Sequence, residues 1–239
     1  MNKLYALLVV AGMVCGGGAD AQIIGDIKNA SLKSSGGDGA HDAVWILADL
    51  FLEVAISGVV QWQRYTLEHR YTNPSVVSVE VMLQGAAQPS AYYILNPRVR
   101  ANWGLFSTDF RQNYLLEESF DGVQHLRTDE WQVLQLNLIS TDYAILRAGG
   151  GIIHEAFNDR NTYSELTTAL TLFSKNQQWG GMAEFRTAEP RNELSAQVHY
   201  KLMERGAFQA YATAGLVYQR YYSQVSVWGM QGGLMMRLH

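Results

Sequence analysis

The stretch "NELSAQVHYKL", residues 192–202, alternates apolar and polar side chains without a break from Leu194 onward. A period of two is typical of a β-strand that has one apolar face and one polar face. The pattern alone leaves open whether the apolar face packs on a protein core or faces lipid. The apolar positions are Leu194, Ala196, Val198, Tyr200 and Leu202.

The same alternation continues from Ser75 to the end of the chain and predicts ten strands. Most of them are about 10–15 residues long, whereas soluble strands have about 5–6 residues and tilted membrane-crossing strands about 9–11. The pattern predicts an all-β fold, a closed antiparallel up-and-down transmembrane β-barrel of about ten strands, with eight as the alternative number. The predicted strands are 76–84, 92–103, 105–117, 130–139, 143–157, 162–173, 178–188, 193–203, 207–220 and 223–239.

The polar face of these strands carries charges of both signs in nearly equal numbers, and arginine is far commoner than lysine. Arginine suits confined ion pairs, and charges inside a closed lumen must pair to offset their desolvation. We therefore expect a filled, salt-bridged lumen in which Arg147 pairs with a buried acid, and a narrow solute passage is the alternative. The predicted lumenal charge network is Glu80, Arg98, Arg100, Asp109, Arg111, Arg147, Glu165, Glu184, Arg186 and Lys201.

The turns between the predicted strands fall into two sets. In outer-membrane barrels one end has short turns and the other end can have long loops. Here one set contains only tight turns, and the other contains the single long loop, "SFDGVQHLRT" at residues 119–128. An even number of strands returns both chain ends to the end with short turns.

The N-terminus predicts export. Residues 1–21 have a basic start, an apolar run and the small-x-small sequence Ala19-Asp20-Ala21, so we expect a signal peptide and a mature chain that starts at Gln22. The only cysteine, Cys15, lies inside this signal, and a lipid-modified Cys15 is the alternative. The mature chain therefore has no cysteine and cannot be a disulfide scaffold.

Two segments precede the predicted barrel of residues 75–239. Residues 22–40 are rich in Gly and Ser and predict a flexible linker. Residues 41–72 predict an amphipathic helix, because their polar residues recur at helical spacing. A partial β-structure is one alternative, and a transmembrane helix is disfavoured because two acids would lie near its middle. The polar stripe is formed by Asp42, Asp49, Glu53, Ser57, Gln61, Arg64 and Glu68.

The last predicted strand has a polar residue, a glycine and alternating hydrophobic residues: Gln231, Gly233, Met236 and Leu238. With these residues, the region 75–239 resembles the outer-membrane β-barrel proteins of Gram-negative bacteria. The resemblance implies an outer-membrane location, contact with outer-membrane lipid, and an assembly signal that the barrel assembly machinery reads. The chain departs from the family at His239, where an aromatic residue usually stands.

No motif in the sequence predicts a metal site, a cofactor or a nucleic-acid interface. The histidines are scattered, and the net charge of −4 with no basic stripe is untypical of nucleic-acid binding. A structural or interaction role is therefore expected, with a protein partner that the sequence does not identify. One alternative is an enzyme that hydrolyses outer-membrane lipid, with His154 opposite Ser164 on the outer face. The other is a soluble periplasmic barrel that binds an apolar ligand.

Overall fold

A computed structural model describes residues 23–34, 56–68, 76–88, 92–119, 122–141, 143–156 and 161–239. It confirms a closed barrel of ten antiparallel strands in which each strand pairs with its neighbours in sequence and β10 pairs with β1. The strands are β1 Val77–Gln88, β2 Tyr92–Trp103, β3 Phe106–Ser119, β4 Gly122–Ser140, β5 Ala144–Glu155, β6 Thr162–Phe173, β7 Trp179–Ala188, β8 Arg191–Arg205, β9 Phe208–Tyr221 and β10 Val225–Leu238.

The polar face of the strands points into the barrel, and the apolar face points out. On β8, Val198 is 54% exposed, whereas its neighbour Gln197 is 5% exposed. The other strands follow the same alternation, since exposed hydrophobic side chains flank buried polar ones. A soluble barrel that binds an apolar ligand would have its apolar face inside. The structure shows the reverse, so the orientation of the faces that this alternative requires is wrong.

The barrel closes along the seam between β1 and β10. Their register pairs Leu83 with Leu234 and Gln84 with Gly233. A Cβ atom on Gly233 would lie 2.1 Å from the carbonyl oxygen of Leu83. Only glycine therefore permits this close approach of the two backbones.

The predicted long loop at residues 119–128 is wrong. β4 begins at Gly122, and β3 and β4 stay paired up to Ser119 and Gly122. These two strands have 14 and 19 residues, so their hairpin extends beyond neighbouring strands such as β5, which has 12. We call this end of the barrel the upper end, and the end where β1 begins and β10 finishes the lower end.

Two helices precede the barrel. Helix α1, Ile23–Ser34, lies within the predicted flexible linker and corrects that expectation. Helix α2, Ile56–Glu68, agrees with part of the helix predicted for 41–72, and residues 41–55 and 69–72 lie outside the described residues. Neither described helix combines the length and apolar character needed to cross a bilayer.

The side chain of Gln63 connects helix α2 to the lower end of the barrel by two hydrogen bonds. Gln63 donates from Nε2 to the carbonyl oxygen of Trp103 at 3.0 Å and accepts from the backbone N–H of Leu105. Between them, Gly104 has a φ of +71°, and a Cβ there would lie 2.5 Å from Gln63 Oε1. Glycine at position 104 therefore adopts the positive φ of the tight β2–β3 turn and also leaves space for the Gln63 side chain.

Candidate functional site

The upper end of the lumen is closed by α1. Ile24 and Ile27 are fully buried, and Ala30 is nearly so. They pack in one apolar cluster with inward-facing strand residues. Fully burying an Ile side chain contributes about 1.5–3 kcal/mol, so these contacts hold the helix in place. The strand and turn residues of the cluster are Ala86, Tyr92, Ile94, Leu115, Leu126, Val217, Tyr221, Tyr222 and Val227.

Two polar contacts fix the position of α1. At its N-terminus, the Glu117 carboxylate accepts the backbone N–H groups of Ile23 at 2.9 Å and Ile24 at 2.8 Å. Near its C-terminus, the Tyr222 hydroxyl lies 2.8 Å from Ser31 Oγ and 2.6 Å from a Glu155 carboxylate oxygen. Burial raises the pKa of Tyr222, and the bond to Glu155 raises it further, so the phenol stays protonated and donates.

Below α1, the middle of the lumen is filled by a network of ion pairs centred on Arg186. Its guanidinium reaches four carboxylates: Asp109 and Glu184 at 2.9 Å, Glu130 at 3.0 Å and Glu165 at 3.3 Å. These groups come from β3, β4, β6 and β7. The network therefore ties opposite walls of the barrel together.

Further pairs extend this network toward both ends. Arg98 binds Glu184 at 2.6 Å and also Asp109. Arg111 and Arg191 share Glu130 and Glu193 above it. Below it, Glu80 binds Arg237 at 2.8 Å and Arg100 at 3.5 Å. The described network pairs six arginines with six acids: Arg98, Arg100, Arg111, Arg186, Arg191 and Arg237 with Glu80, Asp109, Glu130, Glu165, Glu184 and Glu193.

The structure places nine of the ten predicted lumenal charges inside the barrel, all of them buried. The tenth, Lys201, lies toward the lower end, where it pairs with Glu204, whose side chain is half exposed. Sequence reasoning left three buried members of the network, Glu130, Arg191 and Glu193, out of both the network and the polar face. Arg191 and Glu193 share the parity of the polar positions in the opening stretch, so extending that alternation backwards would have found them.

The expected partner of Arg147 is absent from the described residues. No described carboxylate lies within 4 Å of its guanidinium, and its Nε has no hydrogen-bond partner there. Its one described contact is a long hydrogen bond of 3.4 Å from Nη1 to Thr171 Oγ1. The prediction that Arg147 pairs with a buried acid is therefore wrong.

The predicted His154–Ser164 pair is diagonal and not opposite. The register sets His154 against Thr162 and Ser164 against Ile152. His154 Nδ1 lies 3.0 Å from Thr162 Oγ1, and no described carboxylate hydrogen-bonds to the ring. Asp129 faces His154 from β4, but its oxygens bind Arg127 and Gln112. A serine–histidine–acid arrangement is not assembled among these residues.

The outer surface carries exposed aromatic residues at both ends of an aliphatic band. At the lower end, the Trp179 and Tyr200 rings lie 4.6 Å apart, and Trp62 and Tyr65 of α2 are also exposed. We call the exposed aromatic residues near each end the lower belt (Trp103, Tyr143, Trp179 and Tyr200) and the upper belt (Tyr93, Tyr218 and Trp228). Outside the belts, the exposed hydrophobic side chains are mainly Val, Leu and Met, together with the aromatic residues Phe110, Trp131 and Phe185.

The described residues contain no group of His, Cys, Asp and Glu that could hold a metal ion. Comparisons of the chain with protein-family models, with curated proteins and with solved structures gave no match. The filled lumen and the apolar outer band are therefore the features of the described structure that bear on function.

Proposed function

We propose that this chain is an outer-membrane β-barrel of a Gram-negative bacterium, with a structural or interaction role and a lumen closed to solutes. The observation that carries the proposal is the apolar outer band with its two aromatic belts. In bacterial outer-membrane barrels, such belts lie at the two membrane interfaces. Outer-membrane lipid is then the partner of the whole outer face.

The height of the band supports this location. Tyr93 of the upper belt and Trp103 of the lower belt are ten residues apart on β2. At about 3.3 Å per residue and a strand tilt of roughly 40°, they are separated by about 25 Å along the barrel axis. On β2 that equals the height of the apolar band in outer-membrane barrels, about 25 Å. On β8 the belts are closer, since Tyr200 is six residues from Leu194, which pairs with Tyr218.

The filled lumen supports a role other than conduction. The apolar cluster around α1 closes its upper end, and the Arg186 network fills its middle with side chains that are at most a few per cent exposed. Breaking pairs of this kind is costly because each leaves an uncompensated buried charge. A solute path would require the network to open.

The remaining parts of the proposal follow from the sequence. A signal peptide at 1–21 would direct export, and the last strand would present its alternating residues to the barrel assembly machinery. In β10, Met236 and Leu238 point outward, and Gln231 points inward. Trp62 and Tyr65 of α2 would extend the lower belt at the periplasmic interface.

Cell fractionation combined with site-specific labelling tests the proposal. Single cysteines are placed at positions 195, 196, 197, 198 and 199, and a lipid-soluble photoprobe is added to membranes. We expect labelling at 196 and 198 and protection at 195, 197 and 199. We also expect the protein in the outer-membrane fraction, with a gel mobility in detergent that changes on heating.

Two results would contradict the proposal. Recovery in the soluble periplasmic fraction would exclude a membrane location. Failure of the photoprobe to mark positions 196 and 198 in membranes would show that the apolar band is covered by something other than lipid.

A further inference from the structure

Seven arginines are buried in the lumen. Six of them form the described ion pairs, and Arg147 does not. It lies on the inner face of β5, three residues from the lower end of that strand. Guanidinium groups stay protonated in proteins, and an uncompensated buried charge is strongly destabilising. A counter-charge is therefore required at this place.

The charged groups around Arg147 make the lower lumen cationic. Arg100, Glu80 and Arg237 are the charges that act most strongly on it, and two of these three are themselves arginines. Glu80 already binds both of those arginines. Arg100 also binds Asp109 at 3.3 Å, but Asp109 is shared with Arg98 and Arg186. The three arginines of the lower lumen therefore have one glutamate and a share of one aspartate.

Unused hydrogen-bond donors lie beside Arg147. The register places Asn137 and Ala169 on either side of Arg147, and Gln135 and Thr167 on either side of Gly149, the next inward position along β5. Gln135 Nε2 and Thr167 Oγ1 are buried and have no hydrogen-bond partner among the described residues. Arg147 Nε and Arg100 Nε are also buried without a hydrogen-bond partner among the described residues.

Every group in this cluster has an N–H or O–H to donate. The nearest acid along β6 is Glu165, two residues from Thr167. Its Oε2 binds Arg186 at 3.3 Å and Gln132, and its Oε1 lies 3.7 Å from Arg191 Nη2 without a described hydrogen bond. Donors that surround one uncompensated positive charge are complementary to a single negative charge. Arg147, Gln135 and Thr167 are each at most 3% exposed, so a ligand bound among them must be small.

We propose that Arg147, Gln135, Thr167 and Thr171 form an anion site in the lower lumen, which we call the Arg147 site, and that it binds one small monovalent anion of the size of chloride. The site depends on the barrel interior alone, so it stands whether or not the outer face lies in a membrane. The anion acts as a fixed part of the lumen that completes the charge balance.

Chloride and bromide are the probes for this site. Thermal unfolding of the detergent-solubilised barrel is followed in sodium chloride and in sodium gluconate at equal ionic strength, because gluconate is too large to enter. At ten times its Kd, chloride is expected to raise the wild-type Tm by about 3–6 °C. In crystals soaked with bromide, one anomalous peak is expected beside Arg147.

Two variants assign the effect to this site. Gln135→Glu places a carboxylate of nearly the same shape beside Arg147, so the barrel should become stable in gluconate and lose its chloride dependence. Arg147→Met should lose the chloride dependence because the charge is gone. Arg127→Met, which removes an exposed arginine at the upper end, is the matched control and should keep the full chloride effect.

An equal wild-type Tm in the two salts, with no bromide peak at Arg147, would overturn the proposal and indicate that water alone occupies the site. A chloride effect that persists undiminished in Gln135→Glu would also overturn it. The Gln135→Glu measurement decides the matter even where Arg147→Met does not fold.

Discussion

The carboxylate of Glu117 on β3 accepts hydrogen bonds from the first backbone N–H groups of α1, and the bond from Ile24 N is 2.8 Å long. The N-terminal amides of a helix have no partner within the helix, and the helix dipole favours a negative charge there. Glu117 therefore acts as an N-terminal cap supplied by the barrel wall. It couples the formation of α1 to its docking in the lumen.

Replacing Glu117 should loosen α1 without opening the barrel. Glu117→Ala removes the acceptor of two amides, which should cost about 1–2 kcal/mol of docking free energy. Hydrogen exchange of the α1 amides should accelerate by about tenfold, while the strand amides keep their protection. Glu204→Ala at the lower end is the control and should leave α1 unchanged. Unaltered exchange in Glu117→Ala would show that the apolar contacts alone hold the helix.

The sequence did not predict this helix for a physical reason. Residues 22–40 contain many Gly and Ser, and no residue just before Ile23 is needed to cap it, because the cap is more than ninety residues away in the chain. The strands were predictable because their inner and outer faces differ in polarity at every second residue. The bounds of β2 and β6 agree with the prediction at both ends.

Other failures of the sequence reading have structural causes. In β4 the register shifts between Trp131 and Leu134. Glu130, before the shift, points inward at an even position, whereas Gln135, after it, points inward at an odd position. A strict period of two counted from Gln135 therefore places Glu130 on the outer face. The isolation of Arg147 was also invisible in the sequence. Ion pairing across a lumen depends on which side chains reach each other from opposite walls, and alternation gives only the direction in which they point.

Removing the centre of the ion-pair network should be the most damaging single change in the lumen. Arg186→Met leaves four buried carboxylates with one fewer cation, and we expect a loss of about 3–5 kcal/mol in the free energy of unfolding. Urea unfolding followed by tryptophan fluorescence measures it. Arg127→Met removes an exposed pair with Asp129 and should cost about 0–1 kcal/mol. Equal losses in the two variants would mean that the lumenal pairs are solvated.

Alanine substitutions at two adjacent glycines of the β1–β10 seam should have different effects on barrel closure. In Gly233→Ala the new Cβ would meet the Leu83 carbonyl oxygen at 2.1 Å, whereas in Gly232→Ala the nearest atom is the Thr213 carbonyl oxygen at 3.7 Å. We expect Gly233→Ala to cost about 1–3 kcal/mol and to reduce the fraction of closed barrel seen by heat-modifiable gel mobility. Gly232→Ala should behave as wild type within about 0.5 kcal/mol. Similar yields of closed barrel would show that the β1–β10 seam tolerates a wider spacing.

The middle of β8 offers the sharpest test of what covers the outer face. Val198 is seven residues from each end of the strand, and its side chain points outward. If the face is in lipid, Val198→Arg places a charge inside the apolar band, two residues from Tyr200 of the lower belt, and should cost about 1–3 kcal/mol. If the face is in water, the same exposed position should tolerate Arg within about 0.5 kcal/mol.

Leu202→Arg is the matched control for that variant, because Leu202 is equally exposed but lies four residues nearer the lower end. Its cost in a bilayer should fall to about 0–1 kcal/mol, since the charge reaches the interface. Reversible urea unfolding in lipid vesicles measures both variants on one scale. In a bilayer the cost of an outward-facing charge depends on its depth, whereas in water it does not. Equal costs for Val198→Arg and Leu202→Arg would therefore place β8 outside the bilayer.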